Sequence, residues 1–378
     1  PGQGLYYDPL FRHKGDWPDA VQYDGYVTDV TTDLALEFLE KRPSNKPFFL
    51  MYHHKAPHDP FVPKDEYRNL YPERIREPPS LHEDLRARIA LRATTETVGQ
   101  KPLAYGDPAW RWFLERVKYR PTEIDAWEKE LAGVRGRDLR AAQYQIYMRR
   151  YLQCVRSIDN NTGRVLDYLD SNGLSENTVV IYTSDQGFFL GEHGLYDKRF
   201  MYEPSLRIPL LVRWPANIPA GSVNNQLIQN LDFAPTMLDM AGVAVPQEMQ
   251  GRSFKKLAVL ANPQPWRDAI YYRYWMNRAH FNIPAHLGVR TSRYKLIYFY
   301  DNDRGPDGHT AVLGAKPNVR EPFWELYDLE KDPQEMSNVI GDPAYIEKAS
   351  ELLEKLIELR AHNRDSRDSL DLQEAFER

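Results

Sequence analysis

The chain has 378 residues, a formal net charge of −5, 42% hydrophobic and 27% charged residues. This is the composition of a soluble globular protein with room for a large core. The acidic balance and the lack of a Lys/Arg run argue against nucleic-acid binding, and no stretch of 18 apolar residues predicts a membrane span.

In chain order, Val27, Val30, Leu34 and Phe38 form a stripe that predicts a helix over 24–41, with Asp24 as its cap. The continuous apolar run at 47–52 predicts a strand buried on both faces. Residues 62–140 are dense in charge and proline and read as a helical insertion, with helical pieces near 83–93 and 122–133. This insertion follows His58 directly, and loops in such a place carry specificity. A helix is expected over 140–170. Its apolar face holds Tyr144, Tyr147, Tyr151, Cys154, Ile158, Val165 and Leu169, so the single cysteine reads as a core thiol; internal disulfides are excluded.

Strands follow at 178–183 and 208–213, and Asp232 is placed as the cap of a helix over 233–241. The alternation of strand and helix predicts an α/β fold with a mainly parallel sheet flanked by helices. From about 262 the pattern changes to adjacent strands at 270–275, 287–290, 294–300 and 324–329. These predict a small antiparallel sheet, with a helix over 343–361 packed on it through Ile346, Leu352, Leu353, Leu356 and Ile357. The domains expected are therefore 1–260 and 261–378. Asn160-Asn161-Thr162 fits a glycosylation pattern, but it lies in a predicted helix.

The densest chemistry lies between Thr183 and Lys198. The run Val179-Val180-Ile181-Tyr182 ends at Thr183-Ser184-Asp185-Gln186-Gly187, and Gly191-Glu192-His193-Gly194 and Lys198 follow. A strand that stops at Asp185 sets the carboxylate at the sheet edge where open α/β folds bind ligands. The Asp185 carboxylate and the Gln186 amide oxygen are hard donors suited to Ca²⁺ or Mg²⁺. Lys198 is a point charge for an anion. A cation and an ammonium over one anion point to chemistry on a sulfate or phosphate ester.

This stretch resembles the sulfatase family of the alkaline-phosphatase-like superfamily, in its glycan-directed branches. The resemblance extends to Pro47–His58, to Tyr202–Pro215, to Asp232-Phe233-Ala234-Pro235-Thr236 and to Trp324-Glu325-Leu326-Tyr327-Asp328-Leu329, in the family's order. It implies an alkaline-phosphatase-like fold and metal ligation by Asp185 and Gln186. It also implies sulfate contact by Lys198, and His58 as the histidine that touches sulfate and protonates the leaving oxygen. Lys55 faces the sulfate or forms a rim charge. Glu192 and His193 bind sugar hydroxyls or support their loop. His286 and Arg290 lie where related glycan sulfatases reach the substrate. Gln in place of the usual Asn or His resembles the branch that acts on N-acetylglucosamine 6-sulfate.

The family nucleophile, a formylglycine made within Cys-x-Pro-Ser-Arg, has no counterpart here, because Cys154 stands in Cys154-Val155-Arg156-Ser157. The resemblance therefore implies the C-terminal two thirds of a longer sulfatase, with formylglycine supplied upstream and no hydrolysis by residues 1–378 alone. The implied substrate is a sulfated mucin or glycosaminoglycan sugar, and the implied compartment is periplasmic, secreted or lysosome-like. The alternatives are a phosphoester or phosphonate hydrolase of the same superfamily, or a non-catalytic binder of sulfated glycans that uses Lys55, His58 and Lys198.

Overall fold

The computed structural model describes residues 4–12, 20–92, 94–95, 97–99, 104–260, 265–278, 280–300, 321–365 and 370–377. By its contacts the chain forms two compact units, Pro1–His82 with Thr97–Thr178, and Glu83–Glu96 with Val179–Arg378.

The first unit starts with an antiparallel ribbon of β1 (Leu10–Arg12) and β2 (Ala20–Gln22). Helix α1 (Val27–Lys41) buries Val27, Val30, Ala35 and Leu39. The expected stripe was one residue out at its end: Leu39 is buried and Phe38 is exposed. Tyr26, not Asp24, precedes the first turn. Helices α2 (Arg111–Arg116) and α3 (Pro121–Leu131) belong to the insertion. Near 83–93 the expected helix is reduced to one 3₁₀ turn, Leu85–Ala87, capped by the Asp84 carboxylate. Helix α4 (Gly136–Ser171) is the long spine of this unit. It packs on α1, where Asn161 donates to Asp29 at 2.7 Å and Arg164 pairs with Asp33 at 2.6 Å. Cys154 is fully buried on α4, and burial pushes its thiol up to about 12.

The strand expected at 47–52 is not formed. The segment has no described ladder partner, and Phe49 and Met51 are 66% and 61% exposed. Without pairing, an apolar run has nothing to make it a strand, because a strand exists only through its neighbour's N–H and C=O groups.

The second unit starts with β3 (Val180–Thr183), followed by the hairpin of β4 (Phe189–Leu190) and β5 (Tyr196–Asp197), the short helix α5 (Glu203–Leu206) and β6 (Leu210–Arg213). β3 pairs with β6 in the antiparallel sense, Val180 opposite Arg213. This pair is antiparallel within a sheet expected to be mainly parallel, because the connection through the hairpin and α5 returns the chain in the opposite direction. Helix α6 (Phe233–Met240) follows, and the Asp232 carboxylate does not cap it. Instead Asp232 is fully buried, accepts from the Arg252 and Gln229 amides at 2.8 Å each, and pairs with Arg267. Helix α7 (Lys255–Val259) leads into the C-terminal sheet.

That sheet forms as the sequence predicts. β7 (Ala269–Tyr274), β8 (His286–Thr291), β9 (Tyr294–Phe299) and β10 (Phe323–Asp328) are antiparallel in the order β10-β9-β8-β7. Side chains alternate between its two faces. On one face Leu287, Val289, Leu296, Tyr298 and Leu326 pack on Leu352, Leu353 and Leu356 of α8 (Ile346–His362), with α9 (Leu372–Glu377) alongside. Ile346 and Ile357, expected in that seam, are 59% and 39% exposed. On the other face Ile297, Phe299 and Tyr327 pack on Phe189, Leu195, Phe200, Met201 and Tyr202. Gly288 is required there: a Cβ on it would lie 2.4 Å from the Leu296 carbonyl oxygen and 2.6 Å from the Met201 sulfur.

That second face also holds charge. Lys295 is fully buried between Glu335, which is also fully buried, and Glu203, at 2.5 and 3.0 Å. Removing one member of a buried ion pair leaves the others uncompensated in low dielectric and costs roughly 3–5 kcal/mol. Lys295→Met is therefore expected to lower unfolding stability by that amount in a denaturant titration. Phe49→Ser, at an exposed position, is expected to change it by less than about 0.5 kcal/mol.

Candidate active site

Asp185 stands two residues beyond the end of β3 and is exposed. Among the described residues its carboxylate has no hydrogen bond or ion pair. The turn that carries it is fixed by Ser184, whose hydroxyl donates to the Gln186 carbonyl oxygen at 2.7 Å. Gly187 then runs against α5. Its amide donates to the Ser205 carbonyl at 3.0 Å, and a Cβ at 187 would lie 2.3 Å from the Pro204 carbonyl oxygen.

Lys198 follows β5. Its ammonium lies 3.0 Å from Asp197 and over the Phe188 ring at 5.8 Å, with 13% of the side chain exposed. Arg199 pairs with the other Asp197 oxygen at 2.6 Å, and its amide donates to the Ser205 hydroxyl at 2.9 Å. The loop from 191 to 199 holds positive φ at Gly191, His193, Gly194, Asp197 and Arg199. Left-handed backbone at three non-glycine residues costs on the order of 1–3 kcal/mol each and persists only where neighbours enforce it.

Ser205 is therefore the joint of the site. Its carbonyl oxygen holds the residue after Gln186 and its hydroxyl holds the residue after Lys198. The two donors and the ammonium named from the sequence are thus tethered to one buried turn of α5. Sequence reading missed Ser205, since a serine inside Glu203-Pro204-Ser205-Leu206 has no mark of its own. His280, which the sequence reading did not single out, has its imidazole pushed below the ordinary histidine range by partial desolvation and by the positive charges of Arg199 and Lys198.

Several expected substrate contacts are structural in this unit. His193 is 1% exposed, and its Nδ1 lies 2.6 Å from the Glu83 carboxylate. Glu192 closes its own loop by accepting from the Leu190 amide at 2.6 Å. His286 is fully buried, its Nδ1 bonded to the Pro284 carbonyl at 2.8 Å, in a ring of Phe200, Tyr272, Tyr274 and Phe299. Burial pushes that imidazole down to about 4, so it is neutral. Arg290 is held by Glu203 in a two-pronged pair at 3.2 and 2.9 Å. The reason is the strand period: His286, Arg290 and Lys295 all lie on the face that seats 200–203, where they support the loop.

In the first unit, His58 Nδ1 contacts both the Asp59 carbonyl, at 3.0 Å, and its carboxylate, at 2.8 Å. Among the described residues this leaves Nε2 unengaged on a part-exposed ring. Lys55 donates to the Asp59 carbonyl at 3.2 Å and lies over the Tyr6 ring; burial lowers its ammonium below the ordinary lysine range. Lys55 and His58 thus form one cluster around Asp59.

Comparison with known proteins bears on this geometry. A model of the sulfatase family matches residues 3–243, and a model described as the C-terminal region of N-sulphoglucosamine sulphohydrolase matches 191–306 and 318–362. This chain belongs to the sulfatase family. It is 38% identical to an N-acetylglucosamine-6-O-sulfatase of Bacteroides thetaiotaomicron, over 96% of this chain and 66% of that protein. Identity to the N-acetylglucosamine-6-sulfatase of Bos taurus is 25%, over 83% of this chain and 52% of that one. Among solved structures, one in complex with its substrate D-glucosamine-2-N,6-O-disulfate superposes with a TM-score of 0.83, at 38% identity over 96% of this chain and 74% of that chain. A phosphonate monoester hydrolase from Silicibacter pomeroyi shares the fold, with a TM-score of 0.61 at 21% identity over 90% of this chain and 61% of that chain. These relatives have the expected alkaline-phosphatase-like fold class. The chain spans between about half and two thirds of the length of these curated relatives.

Two expectations follow for this sulfatase chain. Gly187→Ala should break the contact with α5 and lower stability by more than about 2 kcal/mol in thermal unfolding, because the clash is with backbone. Glu203, with Lys295 and Arg290 beside it, is depressed to about 2 from its ordinary value of 4.5. Its contribution is present above pH 4.5 and is lost as pH falls through about 2. Unfolding free energy should therefore decline with acidification across that window. Glu203→Gln should be less stable at neutral pH and should show a shallower decline.

Proposed function

We propose that this chain carries part of the active site of a sulfuric ester hydrolase that removes 6-O-sulfate from glucosamine units of a mucin or glycosaminoglycan. The observation that carries the reading is Ser205 tying the strand-end pair Asp185-Gln186 and Lys198 to one turn. Family membership and the 38% identical relative support it.

The donor set fits a hard divalent cation in kind. A lone exposed carboxylate and an amide oxygen suit Ca²⁺ or Mg²⁺, which take oxygen ligands. Asp185 and Gln186 would hold two positions, and among the described residues no group of three or more His, Cys, Asp or Glu gathers as a metal site. A cation bound there would polarise a sulfate oxygen. Formylglycine does not fit Cys154, a buried thiol on a helix without the proline and arginine of the motif, so no step is assigned to it.

The remaining work falls to this chain's side chains. Lys198 would bind a sulfate oxygen, and a fixed ammonium spreads the charge that grows as the S–O bond breaks. The family resemblance assigns to His58 the proton for the departing sugar oxygen, which leaves poorly without one; with Nδ1 taken by Asp59, Nε2 is the ring atom that could carry it. Lys55 would add positive charge at the rim.

The test is sulfate release from glucosamine 6-sulfate by the protein made from its full reading frame. Lys198→Ala is expected to lower kcat/KM by about a hundredfold or more, and Asp185→Asn to do the same, with circular dichroism unchanged. Turnover of phosphonate monoesters with no sulfate release would replace this reading with the alternative hydrolase. Binding of the sulfated sugar without turnover would make the protein a binder.

A further inference from the structure

Residues Glu83–Glu96 cluster with the second unit, whereas the residues on both sides of them cluster with the first. This strip of the insertion reaches the Lys198 hairpin through charge. One Glu83 oxygen lies 2.6 Å from His193 Nδ1, and the other accepts from Arg88 at 2.8 Å. Arg88 donates to the Tyr327 hydroxyl at 2.7 Å, and the Tyr327 and Tyr202 hydroxyls both donate to Glu325, at 2.9 and 2.7 Å. His193 lies against the Tyr202 ring at 5.4 Å. Glu83 and Arg88 side chains are each 9% exposed. His193 itself sits at φ 56, between Glu192 and Gly194, a conformation that needs an outside hold.

We infer that Glu83 is a positioning residue of the active site: it locks His193 in the left-handed turn and so fixes the hairpin that presents Lys198. The strip that carries Glu83 and Arg88 is thus a strap on the hairpin within the second unit, and its loss would let β4 and β5 open while the C-terminal sheet stays folded. Charge-assisted hydrogen bonds are the strong ones, and a buried charge left without its partner is costly. The consequence for turnover rests on the sulfatase reading above; the consequence for the hairpin does not.

The experiment is hydrogen exchange by mass spectrometry on the full-length protein, with Glu83→Ala and Glu83→Gln, alongside kcat/KM for sulfate release from glucosamine 6-sulfate. In Glu83→Ala, amides of 189–199 are expected to exchange at least about tenfold faster while β8 and β9 keep wild-type protection. In the same variant kcat/KM is expected to fall at least tenfold, and Gln, which can still accept from His193 Nδ1–H, should recover part of both. Unchanged exchange at 189–199, or equal acceleration in the sheet, overturns the proposal. If Glu83→Ala does not fold, Glu83→Gln decides by the same local exchange: intermediate acceleration confined to the hairpin supports the strap, and none refutes it. A wild-type protein without sulfatase activity removes the functional reading and leaves the exchange result to judge the strap alone.

Discussion

A buried ion cluster on one face of the C-terminal sheet sets the rest of the site. Lys295 is surrounded by Glu203 and Glu335, and Arg290 grips the same Glu203. The Glu203 amide also donates to Glu335 at 2.7 Å. These bonds anchor the first turn of α5, and α5 carries Ser205. From Ser205 the order passes to Gly187 and Arg199, and through them to Asp185, Gln186 and Lys198. A four-residue helix has no stability of its own. Its geometry comes from the sheet beneath it, so the site is only as rigid as that anchorage.

Much of this was legible in the sequence where the pattern was long. The C-terminal strands announced themselves by aromatic and β-branched runs, and α4 by a helical stripe that correctly buried Cys154. What failed was local and short. The run at 47–52 is as apolar as a central strand, yet a strand is a relation between two segments, and one segment's composition cannot supply the second. Phe38 and Leu39 are both plausible for the inner face of α1, and a helix turns by 100° per residue, so a single-residue error exchanges inside for outside. The piece at 83–92 follows electrostatics: Glu83 meets His193 and Arg88 meets Tyr327.

The site residues divide in the same way. Asp185, Gln186 and Lys198 stand out in the sequence as a strand-end carboxylate, its neighbouring amide and a lysine after a glycine-rich loop, and the turns that carry them both meet Ser205. His286 and Arg290 look equally suited to a substrate, but sequence gives no sign of which face of β8 meets a neighbour. The strand period places both toward Phe200 and Glu203, where a neutral imidazole fills space and a guanidinium answers a carboxylate. Glu83 and Ser205, which bond to His193 and to the residues after Gln186 and Lys198, lie in stretches with no recognisable pattern.

The ribbon of β3 and β6 has a further effect. Each strand has one described neighbour, and Tyr182 and Leu211 on it are 39% and 67% exposed. Unpaired edges with apolar side chains are templates for pairing with another polypeptide. A lysine at Tyr182 or Leu211 would make this ribbon a poorer template for such pairing, as charge does on natural edge strands.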